Sequence, residues 1–176
     1  MNKLILLLKH LWLDAADTRR AIPPDLLQRL AEHVAASEQR HSGQIRICVE
    51  ASLPASYLWR LSRKTPLAEL IRQRAVTMFG KLRVWDTEHN NGVLIYLLLA
   101  EHAIEIVADR GLNSRVDDNH WRTVLAHMAG AFREKRYEDG LMQALEATSA
   151  VLVTPFARSG APGQQPNELP DLPLLQ

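Results

Sequence analysis

The fold is decided by residues 85–100, which read WDTEHNNGVLIYLLLA. Asn90, Asn91 and Gly92 are typical of a turn, because asparagine and glycine tolerate positive φ and an asparagine side chain can hydrogen-bond its own backbone. Residues 93–100 contain no charged side chain, so both faces of the strand that they form should be buried. The stretch therefore predicts a central strand covered by helices on both faces, preceded by a polar loop whose position the strand fixes.

The sequence on either side of this strand predicts a small sheet. Residues 44–51 alternate between apolar and polar side chains, which indicates a second strand. A helix predicted over residues 66–79 separates the two strands, and such a unit is most simply a right-handed parallel pair. A tight turn at Glu101-His102 leads into a hairpin strand at residues 103–108. Further helices are predicted near residues 23–34, 117–128 and 137–153. The pattern predicts an α/β fold with a small mixed β-sheet between helical layers.

Two extensions flank this predicted domain, which covers residues 23–154. Residues 1–22 form an N-terminal amphipathic extension whose apolar side chains follow helical spacing: Leu4, Ile5, Leu8, Leu11 and Trp12. The stripe could cover the core or a partner, or it could lie on a membrane surface, although its polar face is short of cations. Residues 155–176 contain five prolines and two glycines with few aromatics, which predicts a flexible Pro-rich tail.

The charge balance and the cysteine usage limit the class of partner. The 21 Lys and Arg residues nearly equal the 20 Asp and Glu residues, which leaves a net charge of +1. The chain therefore offers no broad positive field for nucleic acid or anionic lipid, and any charged partner must be met locally. The single cysteine, Cys48, cannot form an internal disulfide, which fits a reducing compartment. No apolar run is long enough to be a transmembrane segment, and the signal-peptide pattern is weak. We expect a cytoplasmic protein, or one peripheral to the inner membrane.

Polar side chains gather around the start of the central strand and the end of the hairpin. The candidates for a site at this rim are Asp86, Glu88, His89, Asn90, Asn91, Asp109 and Arg110. Both loops should face the same rim of the sheet, and ligands of open α/β sheets usually bind at a rim. The sequence therefore predicts that any site lies there.

The carboxylates near this rim predict a divalent-cation site, with Asp86, Asp117 and Asp118 as metal ligands. Hard oxygen ligands suit Ca²⁺ or Mg²⁺, and such an ion could polarise a phosphate oxygen. Structural roles stay open, because Asp86 could cap the Asn-Asn-Gly turn and Asp117 or Asp118 could N-cap the next helix. Arg110 could bind an anion or pair with a neighbouring acid. His89 could act as a base, but the sequence shows no residue to orient it.

Several short motifs follow one another between residues 44 and 153. They are Asp86-x-x-x-Asn90-Asn91-Gly92 before an apolar strand, Ile104-Glu105-Ile106-Val107, Arg110-Gly111-Leu112, Asp118, and Phe132 with Tyr137-x-x-Gly140-Leu141. Their order and spacing resemble the TPM domain family, which includes a thylakoid lumen acid phosphatase and photosystem II repair proteins. The resemblance implies a three-layer α/β/α sandwich.

The resemblance implies several functions rather than one. Some members look like phosphatases, some bind calcium, and others resemble membrane-associated assembly or chaperone-like factors, often beside LemA-type proteins. Most relatives have an exported domain with a signal peptide and a trailing membrane helix, and neither pattern is visible here. Where the family commonly has Gly-Leu-Glu-Gly, this sequence has Gly111-Leu112-Asn113-Ser114, so one acidic ligand is absent.

Two functions of different class are compatible with these patterns. We predict a non-enzymatic protein-interaction or assembly module of the TPM type, with a divalent-cation site at the sheet rim. Its partner would be an unidentified protein, which could be membrane-associated, and not a nucleic acid. The alternative is a metal-assisted acid phosphatase that acts on phosphomonoesters. The first is favoured because the sequence contains no P-loop, nucleophile elbow or zinc-ligand cluster, whereas the resemblance and the acids near Asp86 support the second.

Overall fold

The structure is a computed structural model that describes residues 3–113, 116, 118–157 and 167–176. Its elements are, in order, α1 (Lys3–Trp12), α2 (Ala15–Ala21), α3 (Pro24–Glu38), β1 (Gln44–Glu50), α4 (Ala55–Leu58), α5 (Leu67–Lys81), β2 (Gly92–Leu98), β3 (Ala103–Ala108), α6 (Arg110–Asn113), α7 (Asp118–Arg133), α8 (Tyr137–Val153) and β4 (Leu174–Leu175). A short 3-10 turn, Leu99–Glu101, joins β2 to β3. The predicted order of the longer helices and strands is confirmed.

The four strands form one mixed sheet in the order β3-β2-β1-β4. β1 and β2 are parallel, with Gln44 opposite Gly92, and α5 lies between them in the chain. β2 and β3 form the predicted antiparallel hairpin, with Val93 opposite Ala108. β2 is buried along its whole length, as its uninterrupted apolar sequence predicts.

Helices cover both faces of the sheet, because alternate residues of each strand point to opposite sides. On one face, Ile47 and Ile95 belong to a buried cluster that the apolar sides of α3, α7 and α8 complete. On the other face, Leu94 and Leu98 pack in a second cluster with residues of α5 and α1. The protein is therefore a three-layer α/β/α sandwich, and this prediction is confirmed.

A buried polar network ties α5 to the sheet. The Arg74 guanidinium donates hydrogen bonds to both carboxylate oxygens of Glu50, at distances between 2.6 and 3.2 Å. The Tyr96 hydroxyl donates to Glu50 Oε2 at 2.6 Å, so the carboxylate has partners from both α5 and β2. Burial, together with the adjacent Glu50 carboxylate, raises the pKa of Tyr96 and keeps its proton in place. This network fixes the register of α5 on the sheet.

The N-terminal extension packs on the domain, but not through its apolar stripe. Leu6 and His10 are buried, and the Leu53 N–H donates a hydrogen bond to His10 Nδ1 at 3.0 Å. Lys9 Nζ lies 3.1 Å from Glu101 Oε1, which ties the same face of α1 to the turn after β2. The predicted stripe faces solvent instead: Leu4, Ile5, Leu8, Leu11 and Trp12. The expectation that this stripe could cover the core is therefore wrong.

The predicted flexible tail is wrong for residues 167–176. β4 pairs in parallel with β1, with Cys48 opposite Leu174, and Leu169 is buried in the cluster on the α5 side. Arg46 Nη1 donates hydrogen bonds of 2.5 Å to the carbonyl oxygens of Pro170 and Leu172. These contacts order a Pro-rich segment because its prolines need no hydrogen-bond partner for an N–H and its leucines reach the core.

Among the helices that the structure describes, none has both the length and the apolar character needed to cross a membrane.

Candidate functional site

The candidate residues meet at the rim formed by the amino ends of β1 and β2. The loop of residues 85–91 precedes β2, and Asp109 follows β3, which runs antiparallel to β2. The two loops therefore share a rim, as predicted. It is, however, the opposite rim from the carboxyl ends of the parallel strands, where ligands of open α/β sheets usually bind. The rule for open α/β sheets therefore does not predict a ligand site at this rim, and a site here would depend on the side chains found at the rim.

Thr87 organises the loop before β2, and sequence analysis did not single it out. Its carbonyl oxygen accepts the Asn90 N–H at 3.1 Å, and its Oγ1 accepts the Asn91 N–H at 3.1 Å. Asn90 has a φ of 50°, the positive value that its position in the turn predicted. Gly92 is required by close approach, since a Cβ there would lie 1.9 Å from the Val84 carbonyl oxygen. A threonine ahead of Asn-Asn-Gly was the available signal.

Asn91 is fully buried and has one unused hydrogen-bond acceptor. Its Nδ2 donates to the Ser42 carbonyl oxygen at 3.1 Å and to Ser42 Oγ at 3.3 Å. Because Nδ2 must face that carbonyl, Oδ1 points away from it. Within the described part of the chain, Asn91 Oδ1 has no hydrogen-bond partner.

Asp109 also carries an unused buried acceptor. Its side chain accepts the Arg110 N–H at Oδ1, at 2.7 Å, and its own N–H donates to the Gly92 carbonyl oxygen at 2.9 Å. The residue is only 7% exposed, and Oδ2 has no hydrogen-bond partner among the described residues. An unpaired buried polar group costs about 1–3 kcal/mol, and more if it is charged. Each of these two oxygens is therefore available to a ligand or to an ordered water molecule.

Arg110 and Gly111 join the two loops. The Arg110 Nε donates to Asn90 Oδ1 at 2.9 Å, so the described partner of this side chain is an amide and not a neighbouring acid. The Gly111 N–H donates to the Asn90 carbonyl oxygen at 3.0 Å. A Cβ at Gly111 would lie 2.4 Å from that oxygen, so only glycine fits this approach. The Arg-Gly pair thus holds the rim in one arrangement.

The remaining candidates of the loop are exposed. Asp86 forms an ion pair with Arg83, whereas Thr87 accepts the N–H groups of the Asn-Asn-Gly turn, so no cap by Asp86 is seen in the part of the chain that the structure describes. His89 is exposed, and no described residue hydrogen-bonds its imidazole. Glu88 is exposed, and its N–H donates to Glu168 Oε2 at 2.9 Å. Glu168 comes from the C-terminal segment and was not predicted to reach this rim.

The predicted metal ligands are only partly placed. Asp117 lies outside the described residues. Asp118 is the first residue of α7, but the structure describes only its backbone. Their roles as ligands or as helix caps therefore stay predictions. Among the described residues, no group of three His, Cys, Asp or Glu side chains could hold a metal ion. Asp109 and Asn91 present carboxylate and amide oxygens, which are the ligand types that Ca²⁺ and Mg²⁺ prefer.

Comparisons with known proteins agree with this fold. The NMR structure of the BA42 protein from the psychrophilic bacterium Bizionia argentinensis matches with a TM-score of 0.67 and 23% sequence identity, over 84% of this chain and 90% of that one. At this identity the likeness concerns the fold alone. No curated protein matched the chain. The family model described as the TPM domain matches residues 16–151, which include all of β1, β2, β3 and the rim between them. The chain therefore belongs to the TPM domain family.

Proposed function

We propose that this protein is a non-enzymatic interaction module whose sheet rim binds Ca²⁺ or Mg²⁺ and presents a surface to a protein partner. The observation that carries the proposal is two buried oxygens at one rim, Asn91 Oδ1 and Asp109 Oδ2, that have no hydrogen-bond partner in residues 3–113, 116, 118–157 and 167–176. A hard cation that contacted both oxygens would satisfy them, because carboxylate and amide oxygens are its preferred protein ligands. Asp117 and Asp118 would supply further carboxylates.

The cation would act by fixing the rim. The loops before β2 and after β3 are already joined by the bonds of Asn90 to Arg110 and Gly111. A cation shared between Asn91 and Asp109 would add a second tie between the same loops. The exposed side chains of Glu88 and His89 would then be presented from a rigid base to a partner of complementary charge. The buried, unpaired thiol of Cys48 supports a reducing setting such as the cytoplasm or the cytoplasmic face of the inner membrane.

The test is the thermal stability of purified protein at increasing CaCl₂ or MgCl₂. A cation at one hundred times its dissociation constant should add about 2.7 kcal/mol to the free energy of unfolding. Asp109→Asn removes the buried charge at nearly the same shape and should abolish this gain. Asp86→Asn is the matched control, because Asp86, although predicted from the sequence as a ligand, is exposed, paired with Arg83 and left out of the proposed site. A wild-type protein that neither cation stabilises, or an Asp109→Asn variant with the same gain, would refute the proposal.

A metal-assisted acid phosphatase is the second candidate, and Arg110 favours it. Its Nε is held by Asn90, and its side chain is exposed at the rim, where the remaining guanidinium N–H groups could bind a phosphate oxygen. Hydrolysis of a generic phosphomonoester at acid pH decides between the two. Cation-dependent activity that is lost in both Asp109→Asn and Arg110→Gln would replace the interaction module with the phosphatase. Activity that survives both changes would come from a contaminant or from another site.

A further inference from the structure

α1 presents an apolar surface to the solvent. In the described part of the chain, nine large hydrophobic side chains are exposed, and five of them lie on this helix: Leu4, Ile5, Leu8, Leu11 and Trp12. Leu11 is 72% exposed and Trp12 is 84% exposed. Single exposed apolar residues are ordinary, but a continuous group on one helix marks an interaction surface.

The orientation of α1 is fixed by specific contacts on its other face. His10 Nδ1 accepts the Leu53 N–H at 3.0 Å, so the ring carries its proton on Nε2. That Nε2 lies 3.2 Å from Glu101 Oε1, at hydrogen-bond distance but without good alignment. Lys9 reaches the same carboxylate oxygen, and Leu6 is buried in the cluster on the α5 side. A rotation of α1 that buried its apolar stripe would break all of these contacts.

The charged residues of the segment that contains α1, and of the segment that it contacts through Leu53, are all positive. Residues 1–13 and 53–66 together contain five Lys and Arg residues and no Asp or Glu, although the whole chain has a net charge of only +1. The two segments meet at the bond of Leu53 to His10, and Glu101 neutralises one of the five cations. Arg63 and Lys64 are exposed and form no ion pair with a described residue. Trp59, from the same second segment, is 71% exposed.

We propose that α1 and residues 53–66 dock the protein onto an anionic membrane surface. Leucine and tryptophan side chains enter the boundary between headgroups and acyl chains, while nearby lysine and arginine contact lipid phosphates. The local charge argues against a second copy of the chain, because a two-fold contact through α1 would place like charges opposite each other. The helix lies flat on the surface and does not cross the membrane. This inference stands apart from the cation site at the rim.

Co-sedimentation with lipid vesicles tests the docking. Wild-type protein should bind vesicles that contain phosphatidylglycerol in phosphatidylcholine, should not bind phosphatidylcholine alone, and should bind less as salt is raised. The double change Leu11→Ser and Trp12→Ser should weaken binding by at least about tenfold. Trp85→Ser is the matched control, because Trp85 is a half-exposed tryptophan at the sheet rim and should leave binding unchanged. Changing Arg63 or Lys64 to Gln should weaken binding about fivefold each.

Folding is checked by far-UV circular dichroism, and Leu11 and Trp12 are exposed enough for their substitution to leave the fold intact. Folded wild-type protein that does not bind the anionic vesicles would overturn the proposal. Equal loss of binding in Trp85→Ser and in the α1 variant would also overturn it. So would a dimer that appears on size-exclusion chromatography and is lost in the α1 variant while vesicles are not bound, because a second copy would then cover α1.

Discussion

Replacing Arg74 with methionine should be one of the most destabilising single changes in the protein. Arg74 is 7% exposed and Glu50 is 5% exposed, and three hydrogen bonds join their side chains. In Arg74→Met the carboxylate would keep, among the described residues, only the hydroxyl of Tyr96, at 2.6 Å. The change therefore leaves a buried negative charge without its counter-charge.

The size of the effect follows from this burial. Removing one partner of a buried ion pair costs about 3–5 kcal/mol, because the remaining charge cannot regain its water. That loss is a large part of the about 5–15 kcal/mol that holds an ordinary domain folded. A triple variant, Glu50→Leu/Arg74→Met/Tyr96→Phe, removes every polar member of the network. It should lie within about 1 kcal/mol of wild type, because replacing a buried pair with apolar side chains is often neutral.

Urea unfolding followed by far-UV circular dichroism measures both variants. Arg72→Met is the control on the same helix, since Arg72 is half exposed, 3.3 Å from Glu105, and should cost less than about 1.5 kcal/mol. The slope of the unfolding free energy against urea should stay unchanged in all variants. A loss below about 1 kcal/mol for Arg74→Met, or a triple variant no more stable than the single one, would refute the reasoning.

Three further predictions concern the rim, the core and α1. Gly111→Ala should lower the free energy of unfolding by about 1–3 kcal/mol, because its Cβ would lie 2.4 Å from a carbonyl oxygen. Gly80→Ala is the control, since its Cβ would meet nothing within 4 Å and the change should be neutral or stabilising. Equal unfolding free energies for the two variants would contradict this prediction. Burial raises the pKa of the Cys48 thiol from 9.0 to about 12, so the folded state retains a proton that the unfolded state loses. The free energy of unfolding should therefore fall from pH 9 towards 12, and Cys48→Ala should reduce the slope of that free energy against pH. A thiol reagent should react only after unfolding. Burial opposes ionisation of Glu101, but its contacts with Lys9 and His10 of α1 outweigh burial and hold its pKa below 4.5. Glu101 therefore stabilises the packing of α1 on the domain above pH 4.5 and loses that effect as pH falls through its folded pKa. Limited proteolysis should cut residues 3–12 faster in acid, and Glu101→Gln should remove this dependence of the cleavage rate on pH.

The strands could be predicted because buried strands show either alternating apolar and polar side chains or an uninterrupted apolar run. Residues 93–100 and 103–108 placed β2 and β3 within two residues of their observed bounds. Helical periodicity was less decisive for α1. It identified the stripe of Leu8, Leu11 and Trp12 but not which side of the helix meets the domain, because that choice depends on partners such as Leu53 and Glu101 that are distant in sequence.

Rim residues could be predicted where the signal lies next to a strand end in the sequence, but not where it depends on contacts formed only in the folded protein. Asn91 and Asp109 were among the predicted site residues because each lies directly beside a strand end. Thr87 was missed because its hydroxyl matters only once the turn is formed. Glu168 was missed because a Pro-rich composition resembles that of a disordered segment, although the leucines near it supply enough apolar surface to dock.

The pairing of β4 on β1 has a consequence for how the protein behaves among other chains. Without residues 167–176, β1 would become an edge of the sheet, and its outer N–H and C=O groups would be free to pair with a strand of another molecule. β4 and Gln176 occupy that edge through the backbone of Val49 and Ala51. Arg46 helps to hold the segment on β1 by donating hydrogen bonds to the carbonyl oxygens of Pro170 and Leu172, which precede β4. The segment thus covers this edge of the sheet, and a chain truncated before residue 167 should aggregate more readily than one that keeps residues 167–176.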